Sequence, residues 1–210
     1  MEEEQKKKVE ELLKSNKGKR KFFQSVEISV NIKNVDFTKN ANRLNLEIKL
    51  PNGTGKTTKT AVFANDPSMV SEAKNNGAMI IGSSDLTGIA EDKVKLNDLL
   101  NYNLLAQPSM MPEIAKALGQ FLGPKNKMPR PLIGVNVGEI IKGSSNSIFI
   151  KSKGKYLPTV NCLIGKEDME PKKIDENVDA VIDNLAKKVG RQNIKSVYVK
   201  LTMSSPVKLL

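Results

Sequence analysis

Histidine and tryptophan are absent from these 210 residues, and cysteine occurs once. Without histidine, Ser-His-Asp and Cys-His catalysis are excluded, and one cysteine cannot supply an ordinary zinc site. Cys162 has no partner for an intrachain disulfide, which fits a reducing, cytoplasmic setting. Aromatic residues make up 4% of the chain, too few for a sheet that stacks bases in the manner of an RRM. Long apolar runs are missing too: none approaches the roughly 20 residues of a membrane span. The start, Met1-Glu2-Glu3-Glu4, carries no apolar signal core. A catalyst, a metal, a cofactor and a membrane partner are therefore not expected. What the chain has in excess is positive charge, 34 Lys+Arg against 23 Asp+Glu, or +11. A basic globular protein whose partner is a polyanion is the reading that remains.

The hydrophobic pattern divides the chain. Val9, Leu12 and Leu13 mark one face of an N-terminal helix with glutamates early and lysines late. Val26, Ile28, Val30 and Ile32 alternate with polar residues, as do Leu44, Leu46, Ile48 and Leu50, which predicts two half-buried strands. From Thr54 the style changes to alternating strands and helices: Thr60–Ala64, a helix opening at Asp66-Pro67, Ala78–Gly82, a helical stretch through Leu96–Leu100, Asn103–Ala106, and a helix over Ser109–Leu122. That order predicts a parallel sheet with crossover helices. A basic loop, Gly123 to Pro131, closes it. After about Val135 the earlier style returns, with a helix near Val137–Ile141, strands at Ser147–Lys151 and Thr159–Ile164, a long helix over Pro171–Val189 and a last strand at Lys195–Leu201.

The fold class expected is α/β with α+β, in two domains. A discontinuous α+β sandwich domain (1–53 and 136–210) is interrupted by a Rossmann-like α/β insert (54–135), with a hinge at Gly53, Thr54, Pro131 and Gly134. Residues 1–53 carry 12 basic and 8 acidic side chains and 136–210 carry 13 and 8, so the split domain holds +9. The insert, with 9 and 7, holds +2. A polyanion site belongs on the split domain.

Gly53-Thr54-Gly55-Lys56-Thr57-Thr58 resembles the end of a phosphate-binding loop, the alternative reading as a nucleotide-binding protein. Leu50 stands where the loop needs its first glycine, and a strand follows where a helix should open. The insert lacks the glycine-rich turn of a dinucleotide fold, having Asn65-Asp66-Pro67 instead. The adjacent carboxylates Glu91-Asp92, Glu167-Asp168 and Asp175-Glu176 read as solvated surface charge, since neighbours on a helix diverge by about 100°. Nucleic-acid binding has more support. Lys14, Lys17, Lys19, Arg20 and Lys21 put five basic residues in eight positions, running into Phe22-Phe23 and a strand whose open face shows Ser25, Glu27 and Ser29. One of the two phenylalanines is expected in the core. With so few aromatics, binding would rest on phosphates, 2′-hydroxyls and shape, favouring structured RNA.

Several ordered motifs then resemble one family: Lys21-Phe22-Phe23-Gln24-Ser25-Val26-Glu27, Leu50-Pro51-Asn52-Gly53-Thr54-Gly55-Lys56, Met110-Met111-Pro112, Leu122 to Pro129, and Ser196 to Met203. Together they resemble the universal large-subunit ribosomal protein L-one family in its archaeal form. The resemblance implies a cytoplasmic, ribosome-bound chain, monomeric when free. Its split domain would bind the rRNA of the mobile stalk of the large ribosomal subunit, beside the exit-site tRNA. It further implies help in releasing deacylated tRNA, and repression of translation through a similar structure in its own mRNA. Carried over by motif, the RNA surface is Phe22, Ser25, Glu27, Thr202, Met203 and Ser204, beside the basic Lys19, Arg20 and Lys21. The chain departs at Ser204, where the family has glycine, and at Lys125-Asn126, where the family has Arg-Gly.

Overall fold

The computed structural model describes residues 2–56, 58–133, 136–151 and 157–210. In chain order the elements are α1 (Glu3–Asn16), β1 (Ser25–Ile32), β2 (Asn45–Lys49), β3 (Thr60–Phe63), α2 (Pro67–Asn75), β4 (Met79–Ile81), α3 (Ser83–Glu91), α4 (Lys93–Leu99) and β5 (Asn103–Ala106). There follow α5 (Met111–Leu122), β6 (Arg130–Pro131), α6 (Val137–Ser145), β7 (Ser147–Lys151), β8 (Thr159–Lys166), α7 (Pro171–Val189), β9 (Ile194–Leu201) and β10 (Val207–Lys208). By packing the chain falls into two compact units, 1–56 with 146–210, and 57–145.

The first unit carries an antiparallel sheet in the order β10-β9-β1-β8, and a separate antiparallel pair, β2-β7. In β1 the alternation sends Val26, Ile28, Val30 and Ile32 inward, where they meet Val9, Leu12 and Leu13 of α1. Ile174, Val178, Val181 and Leu185 recur at helical spacing along α7 and bury the same face. The helix opens on Pro171, whose missing N–H costs nothing in the first turn, and stops at Gly190, with φ of +84°. Gln24, Ser25, Glu27 and Ser29 are left along the approach to β1 and its other face.

The second unit is a sheet of four parallel strands in the order β4-β3-β5-β6. Ala61 and Phe63 join a cluster with residues of α3, α4 and α5, whereas Val62 joins one with Ala73 of α2 and Val137 and Ile141 of α6. Helices thus cover both faces of the sheet.

Three sequence expectations are corrected here. The helix at Val137 belongs to the second unit and runs to Ser145, because Val137 and Ile141 find their apolar partners there. The break after it accordingly lies at 145/146, and the earlier one at 56/57. Arg130-Pro131 is not loop but edge strand, paired with Leu105 and Ala106, a place where proline is tolerated. The helical stretch before β5 is two helices, separated at Asp92, whose carboxylate accepts from the backbone N–H of Val94 at 2.9 Å.

The expected hinge residues are placed as follows. Gly53 and Thr54 sit within the first unit. The Gly53 carbonyl accepts from Asn177 Nδ2 at 2.8 Å, and Thr54 is buried. Gly53 has φ of +62°, and a Cβ there would lie 2.6 Å from Asn146 Oδ1. Pro131 is the strand residue just described, and Gly134 lies outside the described residues.

Candidate nucleic-acid interface

The end of the first unit at Ser25 gathers three stretches far apart in sequence: the turn between α1 and β1, the turn after β9, and the residues following β8. Helix α1 ends where Gly18, with φ of +73°, reverses the chain. Lys19, Arg20, Lys21, Phe22 and Phe23 then run exposed into β1. Phe22 is 51% and Phe23 70% exposed, so neither phenylalanine enters the core. Gln24, only 2% exposed, takes the inward place instead, one step ahead of the alternation that Val26 continues.

What holds this turn is a carboxylate that the charge pattern assigned to solvent. Glu167 is 5% exposed and accepts from the backbone N–H of Gly18 at 2.7 Å and of Gln24 at 3.1 Å. Its own N–H donates to the Gln24 carbonyl at 2.9 Å. Burial by itself would raise its pKa, but the Gly18 and Gln24 donors, with Lys17 nearby, outweigh that and hold the carboxyl below its ordinary range. Asp175, likewise read as surface charge, is buried on α7, with one carboxylate oxygen unpartnered. Desolvation pushes its pKa up to about 6.

Gln24 passes the order on. Its side-chain oxygen accepts from the N–H of Met203 at 3.0 Å. Alongside, Thr202 and Ser25 are tied by their backbones at 3.0 Å, and Thr202 Oγ1 accepts from the Ser25 N–H at 3.1 Å. Ser204 closes the turn, with its N–H on the Leu201 carbonyl at 3.1 Å and its Oγ accepting from the Leu201 N–H at 2.9 Å. Ser204 is not among the residues of positive φ, so serine at the family's glycine position strains nothing. Met203, at 56% exposure, projects from the tip.

Glu27 faces the open side of the sheet, opposite Lys200 on β9 and Leu163 on β8. The register slips by one residue between Val26 and Glu27, leaving Ile164 as the extra residue on β8. Such a bulge sharpens the local twist and re-aims its neighbours. Two concavities lie at this end of the unit. One, of about 240 Å3, is lined by Lys17, Arg20, Lys21, Phe22, Phe23 and Glu167. The other, of about 470 Å3, lies on the open sheet face between Glu27, Ser29, Asn161, Tyr198 and Lys200. The structure thus brings Lys19–Phe22, Ser25, Glu27 and Thr202–Ser204 to one end of one unit. Glu167 and Gln24 were missed because a polar side chain is read as solvent-facing, even where, as at Gln24, it falls in step with the inward alternation.

A surface of this kind can offer cations to phosphates, exposed apolar side chains to a base or sugar, and Glu27 as an acceptor for a 2′-hydroxyl. In the second unit, the ends of β3 and β5 are filled by the chain itself. Gln107 Oε1 accepts from the N–H of Asn65 at 3.1 Å, and Asp66 caps α2 through Ser68 N at 3.0 Å. The Thr54–Thr58 stretch leads to strand β3 and not to a helix N-terminus. At the basic loop, Asn126 does adopt positive φ, +54°, and Lys125 Nζ stacks 3.7 Å from the centre of the Phe121 ring. Among the described residues no cluster of acidic or cysteine side chains could hold a metal, and no helix is long and apolar enough to cross a membrane. Cys162 is largely buried, which pushes its thiol up to about 12.

Comparison with known proteins agrees in kind. Residues 12–205 match the model of the Ribosomal protein L1p/L10e family. Among curated relatives, the Large ribosomal subunit protein uL1 of Thermoplasma acidophilum is 39% identical over 202 residues, covering 94% of this chain and 92% of its own length. The protein of the same name from Methanococcoides burtonii is 41% identical over 197 residues, covering 91% of each. That from Thermoplasma volcanium is 38% identical over 207 residues. Set beside a basic patch organised around a buried carboxylate, these matches over nearly the whole length show that the chain belongs to the L1p/L10e family of ribosomal proteins.

Proposed function

We propose that this chain is a non-enzymatic constituent of the large ribosomal subunit. Its first unit anchors it to the folded rRNA of the mobile stalk beside the tRNA exit site, where it assists release of deacylated tRNA. The observation that carries this reading is the convergence of Lys19–Phe22, Ser25, Glu27 and Thr202–Met203 on one end of the sheet, organised by Glu167 and Gln24. Phosphate contacts from the lysines and Arg20 supply affinity, and the rigid Thr202–Ser204 turn and Glu27 supply selection by shape. The same surface would serve a second role, binding a similar structure in the chain's own mRNA and repressing its translation.

The test is the affinity of the full chain for a stalk rRNA fragment and for an unrelated hairpin, each at two salt concentrations. The reading expects a preference for the stalk fragment that persists at the higher salt. Equal affinities that collapse together with salt would leave only generic attraction to polyanions, and would overturn it. A stalk-like fold in the leader of the encoding mRNA, bound in competition with the rRNA fragment, would support the repressor role.

A further inference from the structure

The opposite end of β1 is a second cationic pole. Three stretches meet where the strand finishes: the chain leaving Ile32, the C-terminus of α7, and the start of β9. Ile32 lies opposite Ile194, and the Lys33 N–H donates to the Asn193 carbonyl at 2.7 Å. Segments 33–43 and 187–195 contain seven basic residues and one acid, Asp36. Asp36 is occupied locally, accepting from the Thr38 hydroxyl at 2.6 Å and from its N–H at 3.0 Å. Arg43 is occupied too, donating to the Thr38 carbonyl at 3.2 Å. The other six, Lys33, Lys39, Lys187, Lys188, Arg191 and Lys195, are all exposed. Asp183, one turn before Lys187, is the nearest carboxylate along α7.

The helix dipole accounts for Lys187 and Lys188 in the last turn of α7, but not for Lys33, Lys39, Arg191 or Lys195. Like charges gathered this way repel one another, which a polyanion would relieve. Around a concavity of about 280 Å3, Asn34, Asn42 and Asn193 stand beside Lys188, the Asn42 and Asn193 amides held in place by donation to the Asp36 and Val189 carbonyls at 2.9 and 2.7 Å. A single exposed leucine, Leu157, adjoins these segments beside Pro158, whose carbonyl accepts from the Ile32 N–H at 2.8 Å, and offers no cluster. The segments themselves expose no aromatic or large apolar side chain, since Phe37 is buried and Val35, Val189 and Ile194 pack on the core. A protein interface would need such an anchor, and single-strand binding would need a stacking ring. Point charges with amides suit the sugar–phosphate backbone of an RNA helix, read without regard to sequence. β1 spans eight residues at about 3.3 Å each, so the two poles stand roughly 23 Å apart along it. One short contact cannot occupy both.

We propose that the Lys33/Lys188/Arg191 end of the first unit is a second RNA site, which grips the backbone of a helix other than the one held at Ser25 and Thr202. The test uses the full chain and an RNA duplex of arbitrary sequence as probe, with affinity followed across salt. A chain carrying Lys19→Ala, Arg20→Ala and Lys21→Ala should still bind the duplex. Adding Lys33→Ala, Lys188→Ala and Arg191→Ala should cut that remaining affinity at least tenfold and flatten the log–log salt slope by about three units, one per phosphate contact. The far-end triple alone should leave the preference for stalk rRNA over an unrelated hairpin unchanged, which separates this site from the first. The exchanges Lys33→Arg, Lys188→Arg and Arg191→Lys should keep duplex binding, and thermal melts check that every variant folds. The proposal is overturned if the first triple already abolishes duplex binding, or if the far-end triple changes neither affinity nor slope. It is equally overturned if polyglutamate or anionic vesicles are bound more tightly than the duplex through the same residues.

Discussion

Replacing Glu167 with glutamine separates two accounts of the basic turn, because they expect effects of opposite sign. If the turn were merely a cluster of cations, removing a negative charge lying against it would strengthen RNA binding. If the carboxylate instead holds the turn in shape, binding should weaken. Glu167→Gln keeps the side-chain volume but leaves one acceptor where the Gly18 and Gln24 amides require two. One charge-assisted hydrogen bond is lost and one buried N–H is orphaned, a penalty of about 2 kcal/mol. Should the turn open locally while the sheet stays folded, that penalty is about 30-fold in affinity at most, since 1.4 kcal/mol is tenfold. The assay is titration of a stalk rRNA fragment at two salt concentrations, with amide exchange at Gly18 and Gln24 as the local readout. The salt slope should not move, because no phosphate contact is removed. Faster exchange at both amides with a 5- to 30-fold weaker complex is the expected result. Unchanged or tighter binding would refute the role given to Glu167.

Thr202→Val removes the acceptor that holds the Ser25 N–H at 3.1 Å and should weaken the stalk complex about tenfold with little change in melting temperature. Lys19→Ala should weaken binding to all RNAs and lower the log–log salt slope by about one unit; an unchanged slope would remove Lys19 from the contacts. Asn177→Leu should destabilise the first unit by about 2–4 kcal/mol. That buried amide donates to the Gly53 and Ile164 carbonyls, both at 2.8 Å, and accepts from the Asn52 N–H at 3.2 Å; denaturant melts would measure the loss. Asp175, pushed up to about 6 by burial, destabilises the fold above that pH and ceases to do so as pH falls toward its ordinary value of 3.8. Asp175→Asn should therefore raise stability at pH 7 by about 1 kcal/mol, after allowance for the solvent at this edge, with the two proteins converging near pH 4.

The longer strands of the first unit were legible because each buries one face, so that Val26 to Ile32 show a period of two. The parallel strands showed as short apolar runs, being covered on both sides. Less visible was α3, whose Leu86 and Ile89 are too few and too near Gly82 and Gly88 to mark a face. Edge strands β6 and β10, two residues each, carry no period at all. At the interface, the sequence exposes what faces solvent, the basic run and the polar positions of β1. It hides what is beneath: Glu167 next to Asp168 looks like any hydrated pair, and only the backbone N–H groups converging on it reveal otherwise. For Phe22 and Phe23 hydrophobicity pointed inward, yet the alternation that governs burial begins at Gln24.

The buried carboxylate also sets an order of events. Its donors lie at residues 18 and 24, the carboxylate itself at 167, and the turn it steadies through Gln24 at 203, near the opposite end of the chain. During synthesis the second unit has all its residues before strand β8 has been made, and domains commonly fold as units while the chain emerges. The end of the first unit proposed to face RNA has to wait for strand β9 and the turn behind it. Until then the lysines at 19 and 21 are loose charges with no shape to select by. On the proposed function, a chain still lacking that turn would attract RNA, and only one that has made it would recognise it.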